Sequence, residues 1–274
     1  MPSSLRQLTR SVVPHFAYRR YRRRKVAALI RDYTPRDVTH VYGGHTLRIR
    51  LEDRLAQGWY DRDWAELPMM AFLRDRGVPV GGATIFDLGA HQAVVALMLA
   101  REVGESGHVV AVEAEPHNAR VAAINRDLNR AGNVTIIHAA ASATEGTISF
   151  SAELNGKVER QTTTGNLTVP AVTIDGLAKK YGTPNIVFLD VEGYEGQVLT
   201  GATATMANGS TSFLVEVHDA QALAAFGTSC EAIADRFVGF DRYIASNDTE
   251  PFTVLTGSPP AGRFFLVAIP AAVR

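Results

Sequence analysis

The feature that most constrains this chain is an alternation of apolar and helical segments between residues 83 and 138. In chain order these segments are "ATIFDLG", "QAVVALMLAREVG", "HVVAVEAE", "PHNARVAAINRDLNRAG" and "NVTIIHAAA". Near-continuous apolar runs are typical of strands covered on both faces, and such strands belong to parallel sheets connected by helices. The pattern therefore predicts an α/β fold with a mostly parallel sheet and helices on both faces.

The alternation continues in the second half of the chain. Its predicted strands are "NIVFLD", "SFLVEVH", "FDRYIAS" and "RFFLVAIP", and its predicted helices are "TIDGLAKKYG", "YEGQVLTGATATMA" and "AQALAAFGTSCEAIADRF". We expect the last two strands to form an antiparallel pair. Residues 142–170 are rich in Thr, Ser and Gly and contain "GTISFSA" and "NLTVPAV", which indicates short strands or a β insertion.

The first 78 residues do not follow this alternation. "THVYGGHTLRIRLED" alternates around two glycines and predicts a β-hairpin over residues 39–53. "WYDRDWAELPMMAFLRDRG" predicts one helix that ends at Gly77. We therefore expect two regions. Residues 1–78 form a basic arm, a hairpin and helices that act as a lid or a dimer contact, and residues 79–274 form the main domain.

Charge is balanced overall but unevenly distributed. The 28 Lys and Arg residues equal the 28 Asp and Glu residues, so the chain as a whole is not drawn to nucleic acid or membrane. Met1 to Lys25 contain eight basic residues and no acid, and "YRRYRRRK" is the dense part. Three interpretations stay open for this segment: a solvated or self-docking arm, peripheral contact with an anionic membrane surface, or a targeting sequence.

Cysteine content and hydropathy bear on the compartment. The single cysteine, Cys230, rules out a disulfide framework and a cysteine metal cluster, and we expect it to be a buried helical thiol. The sequence contains no run of 18 or more apolar residues and so predicts no membrane span. We expect a cytoplasmic protein, and the basic segment leaves a membrane-peripheral location open.

Acidic side chains follow the predicted strands at the points where they end. Asp87, Glu113, Asp190 and Glu216 end four strands, and His218 follows the last of them. In parallel sheets, ligands bind beyond the carboxyl ends of the strands. We therefore expect these five residues to lie on the floor of one site.

The loop "DLGAHQA" limits which ligand binds at that edge. It keeps only Gly89 of the G-x-G-x-x-G pattern of dinucleotide sites. Asp87 would repel a pyrophosphate by about 1 kcal/mol at 4 Å in water. A ligand with a positive centre, such as S-adenosylmethionine, is favoured instead, and Glu113 suits its ribose diol. Two alternatives stay open. Asp87 caps the following helix instead of facing a ligand, or Glu113 is a surface acid and Glu115 competes with it as the acid that binds the ribose.

Five segments in order make the chain resemble FkbM-type methyltransferases over roughly residues 80–220. They are "FDLGAHQAVVALMLA", "VVAVEAEPHNARVAAINRDLN", "VTIDGLAKKYG", "IVFLDVEGYEGQVLTGA" and "FLVEVH", and the "DVEGYE" element is the most specific. The resemblance implies the class I, Rossmann-like methyltransferase fold with a mostly parallel seven-stranded sheet. It also implies S-adenosylmethionine as the cofactor and residues 79–274 as the catalytic domain that binds it.

The resemblance assigns several residues to the cofactor. Asp87 and Gly89 correspond to the cofactor loop, and Glu113 corresponds to the acid that binds the ribose. Asp190 corresponds to the acid near the methionine end. His91 lies in the same loop, where it either caps the helix or contacts the cofactor's carboxylate.

The chain departs from the family's pattern at two places. His91, Gln92 and Ala93 stand where the family usually has Asn, an Ile-like residue and Gly. We expect the Ala93 change to be mild, because Ala suits the start of a helix. Phe188 stands where the family often has Lys, so any role of that charge is absent.

The resemblance implies O-methylation of a hydroxyl on a sugar, a glycan or a small natural product. A nearby base helps such a reaction, and the candidates are His218, Glu216, Glu192 and Asp190. His218 is the best by intrinsic pKa because its ring can be neutral near pH 7, and a hydrogen-bonded strand-end histidine is its alternative. Glu192 and Glu195 are expected to share a helix face on which one of them anchors a substrate hydroxyl, and a solvated helix N-terminus is the alternative.

Two further features are left open. Asp190, Glu216 and His218 offer oxygen and nitrogen ligands to Mg²⁺, although their spacing in the sequence is not that of a tight metal motif. Three aromatic residues lie close together before the main domain: Trp59, Tyr60 and Trp64. They either line an acceptor pocket or form the core of the N-terminal region, and the core is favoured.

Two other functions compete with methyl transfer. A nicotinamide-dependent oxidoreductase needs the glycine loop that this chain lacks. A non-catalytic cofactor-binding module is compatible with the altered loop at His91 to Ala93. For partners we expect a small-molecule or glycan acceptor and no nucleic acid. Two further contacts are left open: peripheral membrane contact through the basic N-terminal segment, and a homodimer that the N-terminal region would form.

Overall fold

The structure is a computed structural model that describes residues 30–150 and 167–271. Within these residues, none of the helices has the length and apolar character needed to cross a membrane. The basic segment Met1 to Lys25 lies outside the described residues, so its three interpretations stay predictions. The cytoplasmic location and the dimer stay predictions as well.

The described residues form strands and helices throughout the chain. The strands are β1 (Arg36–Tyr42), β2 (His45–Leu51), β3 (Thr84–Leu88), β4 (His108–Glu113), β5 (Val134–His138), β6 (Ala140–Ala141), β7 (Gly146–Phe150), β8 (Leu167–Val172), β9 (Ile186–Leu189), β10 (Ser212–Val217), β11 (Phe240–Ala245), β12 (Thr253–Val254) and β13 (Phe264–Pro270). The helices are α1 (Arg54–Tyr60), α2 (Pro68–Asp75), α3 (Val94–Val103), α4 (Pro116–Leu128), α5 (Ile174–Tyr181), α6 (Glu195–Thr200), α7 (Thr203–Ala207), α8 (Ala220–Ala224) and α9 (Cys230–Asp235).

An eight-stranded sheet organises the described residues, in the order β12-β11-β13-β10-β9-β3-β4-β5. The five strands from β10 to β5 in this order pair in parallel. β13 pairs antiparallel with both β10 and β11. The predicted mostly parallel sheet and the predicted antiparallel final pair are confirmed. The eighth strand is the two-residue β12, which the sequence pattern did not predict.

The strands are buried on both faces, as their apolar sequences predict. Ile85 of β3 packs in one core with Val94 and Leu97 of α3. Its neighbour Phe86 points to the opposite face and packs in a second core with Ile174 of α5. Side chains alternate across a strand, so a continuous apolar run supplies both cores at once.

The N-terminal hairpin packs on the same face of the sheet as α3. β1 and β2 pair antiparallel, which confirms the predicted hairpin. Leu47 and Ile49 of β2 and Leu73 of α2 are fully buried in the core that contains Ile85. The hairpin and the first helices therefore share a core with the sheet. The boundary at residue 78 and the lid or dimer role stay predictions.

The single helix predicted to end at Gly77 is wrong, because the structure has α1 and α2 separated by an irregular segment. In this segment Trp64 forms an isolated bridge with Tyr42 at the end of β1. Pro68 then starts α2, since its ring presets the helical φ and its missing N–H is not needed at the first position. The bridge between distant residues is what interrupts the predicted helix.

Two other predicted helices are also divided. The segment after β9 forms α6 and α7, because Asp175 of α5 accepts hydrogen bonds from the Ala204 and Thr205 N–H groups and so caps a new helix. The segment after β10 forms α8 and α9, and the Ser229 hydroxyl accepts from the Ala232 N–H at the start of α9. The first division is stabilised by a side chain of another helix, and the second by an N-cap inside the predicted helix itself.

Three further predictions of local structure agree with the described residues. The Thr- and Ser-rich region forms a three-stranded sheet in the order β6-β8-β7, and residues 151–166 within it lie outside the described residues. Cys230 is a buried thiol at the first position of α9. Pro116 is the first residue of α4, where the sequence predicts it.

Candidate active site

An open pocket lies at the carboxyl ends of β3, β4 and β9. One half is lined by Gly89, His91 and Glu113, and the other half by Asp190 and Glu192. Residues 139–141 also line it, and the side chain of residue 59 contributes from α1. The structure therefore brings most of the predicted site residues to the predicted edge of the sheet.

Gly89 is where the loops after β3 and β9 come closest. Its φ is +93°, a left-handed conformation that favours glycine. A β-carbon at this position would lie 1.7 Å from the carbonyl oxygen of Asp190. Only glycine fits here, and its presence sets the separation of the two halves of the pocket.

Glu113 ends β4 with its carboxylate at the pocket. Its Oε2 accepts a hydrogen bond from the His91 N–H and its Oε1 accepts one from the Glu115 N–H, both at 2.8 Å. Burial raises the pKa of Glu113 to about 8, and the hydrogen bonds from these two N–H groups oppose this effect only in part. Each carboxylate oxygen can accept a second hydrogen bond. Glu113 can therefore still bind a ligand hydroxyl.

Glu115, the rival of Glu113, has a different position. Its side chain accepts a hydrogen bond from the Asn118 N–H at 2.9 Å and caps α4. It is not among the residues that line the pocket in the described part of the chain. The geometry therefore favours Glu113 over Glu115 as the acid that meets a ligand.

Asp87 lies deeper than the resemblance implies. It is 2 % exposed, and its Oδ2 has no hydrogen-bond partner among the described residues. Burial raises its pKa to about 7. The helix-cap alternative is excluded, because α3 begins after Ala93 without a side-chain cap. Asp87 therefore sits beneath the cofactor loop rather than on the pocket wall formed by the described residues.

The loop after β3 is held in an unusual backbone conformation. His91 and Ala93 have φ values of +49° and +63°. The expectation that Ala93 is a mild change is wrong, because a residue with a β-carbon in the left-handed region costs roughly 1–2 kcal/mol. His91 does not cap the helix, since its Nδ1 lies 2.8 Å from the Tyr60 hydroxyl. Its ring packs between the rings of residues 59 and 60.

The early aromatic residues have different positions. Trp59 is 36 % exposed and lines the pocket, as the acceptor-pocket alternative requires. Tyr60 is buried in the core, and Trp64 packs against that core. The favoured core interpretation therefore holds for Tyr60 and Trp64, whereas Trp59 reaches the site. No local sequence signal distinguishes the three.

Acids gather around His218 directly behind the second half of the pocket. Asp190 and Glu192 line this half, whereas the predicted site residues His218 and Glu216 are not among the described residues that line it. The Nε2 of His218 lies 3.6 Å from Glu192, 3.8 Å from Glu216 and 3.9 Å from Asp190. Burial lowers the pKa of His218, but its hydrogen bond to Glu195 and the neighbouring carboxylates raise it to about 9. The expectation of a neutral His218 near pH 7 is therefore wrong for the ligand-free site, because the surrounding negative charge holds the proton.

Glu195 is the main residue that the sequence interpretation placed wrongly. It is 0 % exposed, and its Oε1 lies 2.7 Å from the His218 Nδ1 and accepts a hydrogen bond from the Gly193 N–H at 2.9 Å. The solvated helix N-terminus is excluded for this residue. Glu192 precedes the helix in a left-handed turn with a φ of +56°, so Glu192 and Glu195 do not share a helix face.

Arg263 is a site residue that the sequence interpretation missed. Its Nε lies 2.5 Å from Oε1 of Glu216, just before β13 begins. Burial and repulsion from Glu216 raise the pKa of Asp190 well above its ordinary range, and its Oδ1 has no hydrogen-bond partner among the described residues. The contact of Arg263 with Glu216 joins the antiparallel and parallel parts of the sheet, which are far apart in sequence.

A polar cluster beneath the cofactor loop connects this loop to the N-terminal region. Asp53 is 0 % exposed and caps α1 by accepting from the Ala56 N–H at 2.8 Å. The same carboxylate accepts from Gln92 Nε2 at 2.7 Å and lies 3.1 Å from His117 Nε2. Asp53 therefore joins three segments that the sequence does not connect.

Asp190, Glu192 and His218 also have the chemistry of metal ligands. Each offers one ligand atom, and the three atoms lie within 4.8 Å of one another. Such groupings are common without a metal ion, and no comparison with known proteins supports Mg²⁺. The sequence grouped Glu216 with Asp190 and His218, whereas among the described residues Glu192 takes that place.

The fold and the site together define an α/β protein that binds a small ligand at the carboxyl edge of its parallel strands. Residues 87–238, more than half of the chain, match the family model described as the Methyltransferase FkbM domain. The chain belongs to the FkbM methyltransferase family. The predicted family and the predicted class I methyltransferase-like fold are both confirmed.

Solved structures give weaker similarities. The FkbM methyltransferase from Methylobacillus flagellatus KT is 15 % identical with a TM-score of 0.46, and the match covers 68 % of this chain but only 43 % of that chain. Fibrillarin from Aeropyrum pernix, with natively bound S-adenosyl-L-methionine, is 14 % identical with a TM-score of 0.44. The match covers 85 % of this chain and 82 % of the fibrillarin chain. At these scores the similarities carry no further conclusion. No curated protein matches the chain.

Proposed function

We propose that this protein is an S-adenosylmethionine-dependent O-methyltransferase whose acceptor is a hydroxyl on a sugar, a glycan or a small natural product. The observation that carries the proposal is the single pocket with two chemically different halves. Glu113 and Gly89 line the half suited to the cofactor, and Asp190 and Glu192 line the half suited to an acceptor hydroxyl, with His218 behind them.

The cofactor half fits S-adenosylmethionine in charge and shape. Glu113 retains acceptor capacity on both oxygens, which suits the two hydroxyls of a ribose. Asp190 has a buried oxygen without a hydrogen-bond partner among the described residues, and a cationic group would satisfy it. The loop after β3 keeps only Gly89 of the glycine pattern that dinucleotide sites need, which argues against the nicotinamide-dependent oxidoreductase.

The chemistry expected at the other half needs alignment and a base. When bound, S-adenosylmethionine supplies a methyl group activated by the positive charge on sulfur. The residues of this chain hold the acceptor hydroxyl in line with that methyl group and accept its proton. His218 in its neutral form is the proposed base, and Asp190, Glu192 and Glu216 are the proposed groups that orient the hydroxyl. Because the surrounding carboxylates raise the pKa of His218 to about 9, the rate of methyl transfer is expected to increase as pH rises toward that value. The non-catalytic module is less well supported, because the altered loop leaves the pocket open.

We expect isothermal titration with S-adenosylhomocysteine to show binding that depends on Glu113. Glu113→Gln should weaken binding by more than about tenfold, roughly 1.4 kcal/mol, because an amide nitrogen cannot accept from the ribose. Glu115→Gln is the matched control, since this glutamate caps α4 beside the pocket. Equal affinities for the two variants would contradict the assignment of Glu113, and wild-type protein that binds NAD instead would contradict the function.

We expect Mn²⁺, used as a paramagnetic probe for Mg²⁺, to bind weakly or not at all at pH 7. Metal ligands must be deprotonated, and the surroundings of His218 raise its pKa to about 9, so a proton competes with the ion. The measurement is electron paramagnetic resonance of Mn²⁺ titrated with protein. Binding tighter than about 0.1 mM that Asp190→Asn abolishes would instead support the magnesium alternative.

A further inference from the structure

We propose that Glu195 is a positioning residue that holds His218 in one tautomer, with Nε2 turned toward the acceptor half of the pocket. The catalytic meaning of this inference rests on the proposed function, because it states how the proposed base is held. The contact between the two side chains does not depend on that function. Glu195 itself does not line the pocket in the described part of the chain and would act through His218.

The burial of Glu195 indicates a specific role. Its side chain is 0 % exposed, and a buried carboxylate is costly unless hydrogen-bond donors compensate it. The same oxygen, Oε1, meets two donors: the His218 ring at 2.7 Å and the Gly193 N–H at 2.9 Å. One carboxylate thus holds both the histidine and the turn that carries Glu192.

In the neutral ring of His218, the contact with Glu195 determines which nitrogen carries the proton. An ionised carboxylate only accepts hydrogen bonds, so Nδ1 of His218 must be the donor. The other nitrogen, Nε2, then faces Asp190, Glu192 and Glu216 at 3.6 to 3.9 Å, distances longer than a hydrogen bond. This arrangement leaves Nε2 directed at Asp190 and Glu192, the two of these residues that line the acceptor half of the pocket.

Charged groups from several elements face the imidazole. They are Asp190 and Glu192 after β9, Glu195 of α6, Glu216 of β10, and Arg263 before β13, which pairs with Glu216. From α9, the Cys230 thiol contacts the His218 carbonyl oxygen. Glu195 is the only one of these carboxylates within hydrogen-bond distance of the ring in the described part of the chain, so its charge is expected to contribute most to the proton affinity of His218.

The test is a pH titration of the His218 ring by ¹⁵N nuclear magnetic resonance in the cofactor-free protein. Glu195→Gln keeps an oxygen that accepts from Nδ1 but removes the negative charge. We expect the titration midpoint of His218 to fall by about one pH unit or more. Glu231→Gln is the control, because it makes the same chemical change at an exposed glutamate of α9, and it should leave the midpoint unchanged.

An unchanged midpoint in Glu195→Gln would overturn the proposal, because a merely structural glutamate would not set the charge of the ring. If that variant does not fold, the wild-type protein decides the question. Its neutral imidazole must carry the proton on Nδ1, and a proton on Nε2 would overturn the proposal. Titration of the same samples with S-adenosylhomocysteine separates the two claims, since wild-type protein that fails to bind it counts against the proposed function alone.

Discussion

Gly89→Ala is expected to lose several kcal/mol of stability, more than about 3 kcal/mol, together with binding of S-adenosylhomocysteine. The new β-carbon would lie 1.7 Å from the Asp190 carbonyl oxygen, which no side-chain movement can relieve because the obstacle is backbone. The loops after β3 and β9 must then separate. Chemical denaturation monitored by circular dichroism measures the loss, and isothermal titration measures binding.

Gly44→Ala separates this overlap from ordinary backbone strain. Gly44 has a φ of +83° in the hairpin between β1 and β2, and a β-carbon there would meet no atom within 4 Å. It should therefore cost only the conformational strain, roughly 1–2 kcal/mol. If Gly89→Ala costs no more than Gly44→Ala, the close approach of the two loops is not a constraint on this protein.

Asp53→Ala is expected to destabilise the protein by about 3 kcal/mol, because it removes a helix cap and leaves the donors of buried side chains unsatisfied. The carboxylate accepts from Ala56 and Gln92 and lies 3.1 Å from His117. The loss of Gln92's partner should also loosen the cofactor loop. Urea denaturation of the variant measures the change in the free energy of unfolding.

Asp219→Ala is the matched control, since Asp219 is an exposed cap that accepts from two N–H groups of α8. A cap alone contributes about 1 kcal/mol, so similar losses in both variants would contradict the role of the buried cluster.

Burial raises the pKa of Asp53, but its contact with His117 and its other hydrogen bonds lower it below the ordinary value. The stabilisation is therefore present above the unfolded pKa of about 3.9 and is lost as pH falls through the lower folded value.

Most of the fold follows from local sequence patterns. Apolar runs with strand length predict β3, β4, β9 and β10, and the acids that end them mark the edge of the sheet where the pocket lies. Helix boundaries were predicted less well, because Ser229 starts a new helix inside one continuous helical pattern and Asp175 of α5 caps a new helix inside another. A capping contact from another helix leaves no periodic signal in the segment that it divides.

The site shows the same division between local and distant information. Glu113 and Asp190 could be predicted because each ends a strand whose pattern is visible. Glu195 could not, since its spacing from Glu192 is equally typical of a solvated helix start. Its burial comes from the left-handed turn before α6 and from His218, which lies 23 positions further along the chain. Trp59 reaches the pocket only through the packing of α1 beside the cofactor loop.

The sequence by itself determined the α/β class, the edge of the sheet that carries the site and the family of the protein, because these depend on the order and periodicity of neighbouring residues. Only the tertiary structure decided the protonation of His218, the burial of Glu195 and the contact between Gly89 and Asp190. Each of these depends on groups from different strands brought within a few ångströms of one another. The charge and space around a residue are set by such neighbours, which sequence spacing does not reveal.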